Sequence, residues 1–213
     1  IDSHTAAVII EPVQAEAGVI FPSAGYLEEI RERCTASGAL LVFDEVQTGF
    51  GRLGHLFALD RFRVIPDILA GRRESSPVRV WVPACATGEE ALSIAMLFVE
   101  AMENQSARAH LQVFATDIDT EAIQRARAAE YLETIGADVS PERLQRYFNK
   151  EDHGYRVRKE IREMVIFAPQ NLIMDPPFTK LDLLSCRNLL IYLTPEVQKK
   201  LIPLFHYSLS PGG

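Results

Sequence analysis

The stretch VPACATGEE (82–90) sets three small residues, Ala84, Ala86 and Gly88, ahead of two acids, Glu89 and Glu90. Small residues at a strand-to-helix turn let a ligand approach the backbone at a helix N-terminus, where N–H groups point outward. The stretch lacks GxGxxG, so taken alone it is a weak dinucleotide fingerprint. Further on, FATDID (114–119) ends the next expected strand with Asp117. An acid so placed typically accepts hydrogen bonds from a ribose diol. Its neighbour Asp119 suits a helix cap instead. A second pair of carboxylates, Asp44 and Glu45 in FDEVQTGFGR (43–52), closes another apolar run. In isolation such a pair reads as a strand end reaching water.

The elements that must carry these groups follow from the hydrophobic pattern. AAVII (6–10) and ALLVF (39–43) are wholly apolar runs suited to buried strands. Between them YLEEIRERC puts Tyr26, Leu27, Ile30 and Cys34 on one helical face, with Ser23 placed to cap and Gly38 to terminate. Strand, helix and strand in that order are the signature of a parallel α/β sheet. The pattern then restarts. VRVWV (78–82), LQVFA (111–115), MVIFA (164–168) and LDLLS (181–185) read as strands. Helices are expected from Glu89 to Met102, over EAIQRARAA after a Thr120 cap, over PERLQRYF opened by Ser140 and Pro141, and from Pro195 toward Phe205 after Thr194. The closing SPGG reads as a turn leading into a further strand. The polar AGRRESSP (70–77) is the linker candidate.

Composition narrows the function classes. The 213 residues suffice for one large domain or two modest ones. The formal net charge of −7 argues against a nucleic-acid binder. The run Arg156, Arg158, Lys159 and Arg162 reads as a solvated face, with docking of an acidic partner as the alternative. No apolar run approaches the roughly 20 residues of a bilayer span, so no membrane insertion is expected. Cys34, Cys85 and Cys186 lie far apart without CxxC, which fits a reducing compartment, and a cytoplasmic location is expected. The five histidines show no ligand-like spacing, so no metal is expected. The sequence opens on Ile1 with no signal pattern, and its true start is expected upstream.

EPVQAEAGVIFP (11–22), DEVQTGFGRLGHLFA (44–58) and PDIL (66–69) occur in that order. Residues 1–69 thereby resemble the class III pyridoxal-phosphate aminotransferases of the acetylornithine and ornithine type. The resemblance implies that Asp44 would sit against the pyridine nitrogen, that Gln47 would lie near the ring's phenolic oxygen, and that Glu11 would belong to a substrate-side strand. It also places the Schiff-base lysine at a position held here by Arg73, and no lysine precedes Lys150. Arginine stays protonated and cannot form the imine. This segment is therefore expected to be a vestigial core fragment without transaminase activity, one that does not bind pyridoxal phosphate covalently.

VRVWVPACATGEEALSIAMLF (78–98), FATDID (114–119), RYF (146–148), VIFAPQNL (165–172), FTKLDLLSCRNLLIYL (178–193) and SLSPGG (208–213) follow in order. Residues 70–213 thereby resemble the CheR-type chemotaxis receptor glutamate methyltransferases, which use S-adenosylmethionine. The resemblance implies a cofactor site of Ala84, Thr87, Gly88, Glu89, Glu90, Asp117, Asn171 and Leu172. Glu89 or Glu90 would meet the methionine amino end, Asp117 the ribose, and Asn171 and Leu172 the adenine. Arg187, Asn188 and Tyr192 would line the reacting side. Cys186 reads as a packed small residue. Leu92 stands where the family often has an aromatic.

Neither family normally continues into the other, so the chain reads as a chimera or fragment. The expected fold class is α/β: a three-layer, Rossmann-like methyltransferase sheet, incomplete at its end, preceded by a strand–helix–strand piece of an aminotransferase large domain. The expected division is an aminotransferase fragment at 1–69, a junction at 70–77 and a C-terminally truncated methyltransferase domain at 78–213. The function read from these parts is S-adenosylmethionine-dependent methylation of the chemoreceptor glutamate type, with cytoplasmic receptor glutamates as partners. Turnover is expected to be impaired, because the family's helical N-terminal cover and last strands are not among the pieces found. The alternatives are an aminotransferase fragment lacking its lysine and an inactive hybrid. The oligomeric state and the particular receptor are left open.

Overall fold

The computed structural model describes residues 1–14, 18–44, 48, 64–70, 76–105 and 109–210. The chain forms two compact units, one made of Ile1–Ala70 with Pro177–Gly213 and the other of Gly71–Pro176.

In the first unit, β1 (Ala7–Ile10) and β2 (Leu40–Phe43) pair in parallel, Ala7 opposite Leu40 and Ile10 opposite Phe43. The helix α1 (Tyr26–Ser37) connects them. Ile30 and Cys34 on α1 and Ala39 form a small core with Val8, Ile10 and Leu41. The expected cap at Ser23 is not made. The N-cap is Gly25 at φ 82, with no side-chain hydrogen bond, because the chain enters the helix through a left-handed residue that only glycine adopts freely. Gly38 ends α1 at φ 71 as expected, and the Ala39 N–H turns back to the Cys34 carbonyl at 2.9 Å. The short α2 (Val64–Leu69) follows.

The second unit holds the parallel sheet. β3 (Val78–Pro83), β4 (Leu111–Asp117) and β8 (Val165–Pro169) lie in the order β8-β4-β3. Val78 pairs with Leu111, Pro83 with Thr116, and Asp117 with Pro169. Val80, Trp81 and Val82 are consecutive, so they point to alternate faces, and all three are fully buried. Both faces of β3 are therefore closed to water, as in α/β proteins with a covered parallel sheet. The helix α3 (Glu89–Asn104) links β3 to β4 and buries Leu92, Ile94, Ala95, Met96, Leu97 and Phe98. This is the Rossmann-like α/β arrangement that the sequence pattern implied.

After β4 comes α4 (Thr120–Ala128). Its cap is Asp119, the residue marked as suited to one, rather than its neighbour Thr120: the Asp119 carboxylate accepts from the Glu121 and Ala122 N–H groups. Both residues are capable caps, and Asp119 is the one with extended backbone. The Arg127 guanidinium ties this helix to β8 by donating to the Phe167 carbonyl at 2.7 and 3.1 Å. The helix α5 (Pro141–Tyr147) opens with the Ser140 hydroxyl accepting from Arg143 N–H and with Pro141 in the first turn, as expected. Arg143 makes a bidentate ion pair with Glu100 of α3 at 2.7 and 2.9 Å.

A small antiparallel sheet was not anticipated. β5 (Glu130–Leu132), β6 (Phe148–Glu151) and β7 (Gly154–Val157) lie in the order β5-β7-β6. The basic run falls on and after β7 with local partners. Arg156 lies between Glu130 and Glu151, Arg158 donates to the Phe148 and Gln145 carbonyls, and Lys159 pairs with Glu163. A four-residue helix, α6 (Lys159–Arg162), leads into β8.

The chain then returns to the first unit. Within LDLLS only β9 (Leu183–Leu184) is strand, shorter than expected. The helix α7 (Pro195–Ser208) closes the described chain, and Leu181 bridges Leu209 just beyond it. Residues 211–213 of the expected SPGG turn lie outside the described residues.

Candidate functional site

The turn after β3 is built from left-handed residues at alternate positions: Ala84 at φ 56, Ala86 at φ 47 and Gly88 at φ 92. For a residue with a Cβ this conformation costs roughly 1–2 kcal/mol. The surroundings hold it in place. The Cys85 N–H donates to the Thr116 carbonyl at 3.0 Å, and the Gly88 N–H to the Cys85 carbonyl at 2.9 Å. The Ala86 N–H donates to Asp117 Oδ2 at 2.9 Å. Gly88 is required for a further reason: a Cβ there would lie 2.9 Å from Phe167 Cζ and 3.0 Å from Ala126 Cβ. Strain fixed by so many partners is a usual mark of a functional turn.

Asp117, at the end of β4, serves that turn with one oxygen and receives the Asp119 N–H on the other at 2.9 Å. Each carboxylate oxygen keeps a second lone pair for a ligand hydroxyl. On the far side of the turn, the Thr87 hydroxyl donates to the Glu89 carboxylate, 2.7 Å from either oxygen. Cys85 is buried beneath the turn. Burial, reinforced by the Asp117 charge, raises its thiol to about 12, so at neutral pH it stays protonated.

The loop after β8 is self-braced. The Gln170 N–H donates to the Asp117 carbonyl at 2.9 Å, and its side-chain amide to the Pro176 carbonyl at 3.0 Å. Asn171 Oδ1 accepts from Ile173 and Met174 N–H, and the Asn171 N–H donates to Asp175. Because β3, β4 and β8 are parallel neighbours, Ala84–Glu90, Asp117 and Asn171–Leu172 all lie at their C-terminal edge, where open α/β sheets bind ligands. Sequence reasoning missed three contributors. Ile118 and Met174 are apolar yet 71% and 78% exposed on this edge, and Tyr131 reaches the turn from β5 by donating to the Thr87 carbonyl at 3.1 Å. An apolar residue directly after the strand-ending acid was the available signal for Ile118. Tyr131 had none.

The remaining expected residues belong to the first unit. Asn188 is left-handed at φ 54, Tyr192 is 80% exposed in a single 3₁₀ turn, and Arg187 lines a cavity of about 110 Å³ with Cys186, Ile9, Leu41, Phe43 and Phe205. Asp44 is exposed just past β2, its N–H donating to the Ile10 carbonyl at 2.9 Å. Gln47 and Arg73 lie outside the described residues. Among the described residues no helix is long and apolar enough to cross a membrane.

A parallel sheet whose first strand enters a strained small-residue turn, with the acid of the second strand bonded to that turn, defines a Rossmann-like α/β protein. The chain belongs to the CheR methyltransferase family: the family model for the CheR methyltransferase SAM binding domain matches residues 47–213. The class-III aminotransferase model matches residues 1–72, and the two overlap over 47–72. The chain is thus a chimera of the two families. A 104.1 kDa uncharacterized protein in the hypE 3′ region of Rhodobacter capsulatus is 42% identical over 166 residues, 78% of this chain and 17% of that protein. The acetylornithine aminotransferase of Methanosarcina acetivorans is 57% identical over 70 residues, and that of Methanopyrus kandleri 56% over 69. These matches cover 33% and 32% of this chain and 18% of each enzyme. The chain therefore spans less than a fifth of the length of these relatives. The crystal structure of an S-adenosylmethionine dependent methyltransferase from Mesorhizobium loti aligns with a TM-score of 0.35 at 16% identity, over 71% of this chain and 49% of that one. That likeness is too weak to carry an argument.

Proposed function

We propose that the Gly71–Pro176 unit binds S-adenosylmethionine at the C-terminal edge of its parallel sheet, as part of a protein that methylates glutamate carboxylates of chemoreceptors in the cytoplasm. The observation that carries this reading is the bond from the Ala86 N–H to Asp117, which joins the small-residue turn to the acid of the second strand. The residues present fit the cofactor. Asp117 has lone pairs left for the two ribose hydroxyls. Glu89 and Glu90 open α3 and offer negative charge to an ammonium. Asn171 and Leu172 sit in a braced loop suited to the flank of an adenine. Thr87 and the glycine at 88 leave the backbone open to approach, with Ala84 forming the start of the same turn.

When bound, the cofactor supplies an electrophilic methyl group on a sulfonium. A glutamate side chain is already ionised near neutral pH, so no strong general base is required. What the chain must supply is alignment of the carboxylate and exclusion of water. Arg187, Asn188 and Tyr192 are the residues proposed for that task. They share a compact unit with the aminotransferase segment, and the cofactor residues do not. Cofactor binding is therefore proposed to be better preserved than turnover.

Pyridoxal phosphate is not proposed as a covalent cofactor, since Arg73 stands at the lysine position and Asp44 and Gln47 alone cannot form the imine. Calorimetry with S-adenosylhomocysteine and, separately, with pyridoxal phosphate tests the reading. Saturable binding of the first and none of the second is expected. Failure to bind S-adenosylhomocysteine defeats it. Transfer of labelled methyl to receptor-containing membranes, against an intact enzyme of the family, tests the second part. Turnover within about tenfold of that control removes the proposed impairment, because misplacement by about 1 Å costs on the order of a hundredfold.

A further inference from the structure

Tyr131 lies outside every residue set that the sequence pointed to, yet its phenol donates to the Thr87 carbonyl at 3.1 Å. That carbonyl precedes the N-cap Gly88. The first bond of α3 runs from the Leu92 N–H to the Gly88 carbonyl at 3.0 Å, so the helix leaves the Thr87 carbonyl to an outside donor. On its side-chain side Thr87 donates to the Glu89 carboxylate at 2.7 Å. Thr87 is thus gripped by Tyr131 through its carbonyl, and it grips Glu89 through its hydroxyl.

The strand that carries Tyr131 is itself fixed. Tyr131 pairs with Tyr155, and Leu132 with Gly154. A Cβ on Gly154 would lie 2.0 Å from the Tyr131 carbonyl oxygen, so β5 and β7 approach as closely as a glycine permits. The small antiparallel sheet therefore delivers one hydroxyl to a set place on the cofactor turn.

We infer that Tyr131 is a positioning residue: by holding Thr87 it fixes the turn that opens α3, whose Glu89 and Glu90 supply the carboxylate that receives the methionine ammonium of the cofactor. This rests on the proposed S-adenosylmethionine site. The phenol stays protonated across the neutral range, because burial, and then the nearby Glu89 charge, push its ionisation far upward. The ribose and adenine contacts depend on β4 and β8. Neither Asp117 nor Asn171 is bonded to Thr87 itself, and Asp117 meets the turn one residue earlier at the Ala86 N–H, so the loss falls chiefly on the amino-acid end of the ligand.

Calorimetry on the full chain with two ligands tests this. One is S-adenosylhomocysteine. The other is methylthioadenosine, which keeps the adenine and ribose and lacks the amino-acid end. In Tyr131→Phe, S-adenosylhomocysteine affinity falls about threefold to tenfold, the scale of one lost hydrogen bond, while methylthioadenosine stays within about twofold of the unsubstituted chain. Thr87→Val removes the hydroxyl and keeps the carbonyl, and it gives the same selective loss. The double variant loses no more than the larger single one, since both act through one link. Equal losses for both ligands assign Tyr131 a purely structural role and overturn the inference. So does unchanged S-adenosylhomocysteine affinity in Tyr131→Phe. If the unsubstituted chain binds neither ligand, the cofactor reading and this inference fall together.

Discussion

The indole N–H of Trp81 donates to the Thr116 hydroxyl at 3.0 Å, side chain to side chain between neighbouring strands, in a core where the two residues are 0% and 1% exposed. The Thr116 carbonyl also receives the Cys85 N–H, so one residue ties the central strand to both its neighbour and the small-residue turn. Thr116→Val removes the acceptor of this indole N–H bond in a closed core. A loss of about 1–3 kcal/mol in urea unfolding is expected, with Thr116→Val/Trp81→Phe recovering part of it because donor and acceptor are then removed together. A neutral Thr116→Val would show that the bond carries no stability.

Gly88→Ala combines two penalties. Its Cβ would press on the Phe167 ring at 2.9 Å, and its φ of 92 lies where side chains are strained. A loss of roughly 2–4 kcal/mol is expected, together with weaker cofactor binding. Ala86→Gly, at φ 47 in the same turn, is expected to change stability by no more than about 1 kcal/mol, since relief of strain opposes the added freedom of the unfolded chain. Comparing the two urea midpoints checks the assignment.

Asp117→Ala removes the acceptor proposed for the ribose and frees the Ala86 and Asp119 N–H groups. S-adenosylhomocysteine affinity is expected to drop by about 1.5–3 kcal/mol, the range for a hydrogen bond to a charged group. Calorimetry on the folded variant measures it, and unchanged affinity takes Asp117 out of the site.

Cys85 predicts a pH dependence. Its folded thiol is raised from 9.0 to about 12, chiefly by burial. Between those values the unfolded chain has released a proton that the folded chain still holds. The unfolded state then binds fewer protons, and stability falls as pH rises through that window. Below it the contribution is fully present. Urea midpoints at about pH 8 and about pH 10.5 should diverge more for the unsubstituted chain than for Cys85→Ala. Equal slopes would place the titration elsewhere.

Much of the parallel sheet was legible because its strands are short, β-branched and aromatic-rich runs: VRVWV alternates around Arg79, and LQVFA and MVIFA are apolar but for Gln112. Asp117 and the small-residue turn were legible for the same reason, since strand ends and glycine positions are local signals. Of the two adjacent cap candidates, Asp119 and Thr120, the structure uses Asp119, whereas Gly25 displaced the expected Ser23. The antiparallel sheet was not legible. FNKE and GYRV are largely polar, and the strand Glu130–Leu132 is too short to show alternation, so Tyr131 fell beyond the expected helix and in no expected element. The grouping of residues 177–213 with 1–70 is a long-range fact for which no window of sequence carries a signal.

The two units differ in how their parts are strung along the chain. One is a single uninterrupted stretch, and the other is assembled from two stretches with the whole of its companion between them. During synthesis from the N-terminus, the uninterrupted unit has every residue it needs as soon as Pro176 has emerged. The divided unit must wait for α7 and must close a loop longer than its companion before its last contacts form. Loop closure is an entropic delay that nothing local offsets. Of the two units, the one that begins earlier along this sequence is therefore the one completed later, and its β1–α1–β2 piece waits with its apolar faces uncovered until residues 177–213 arrive.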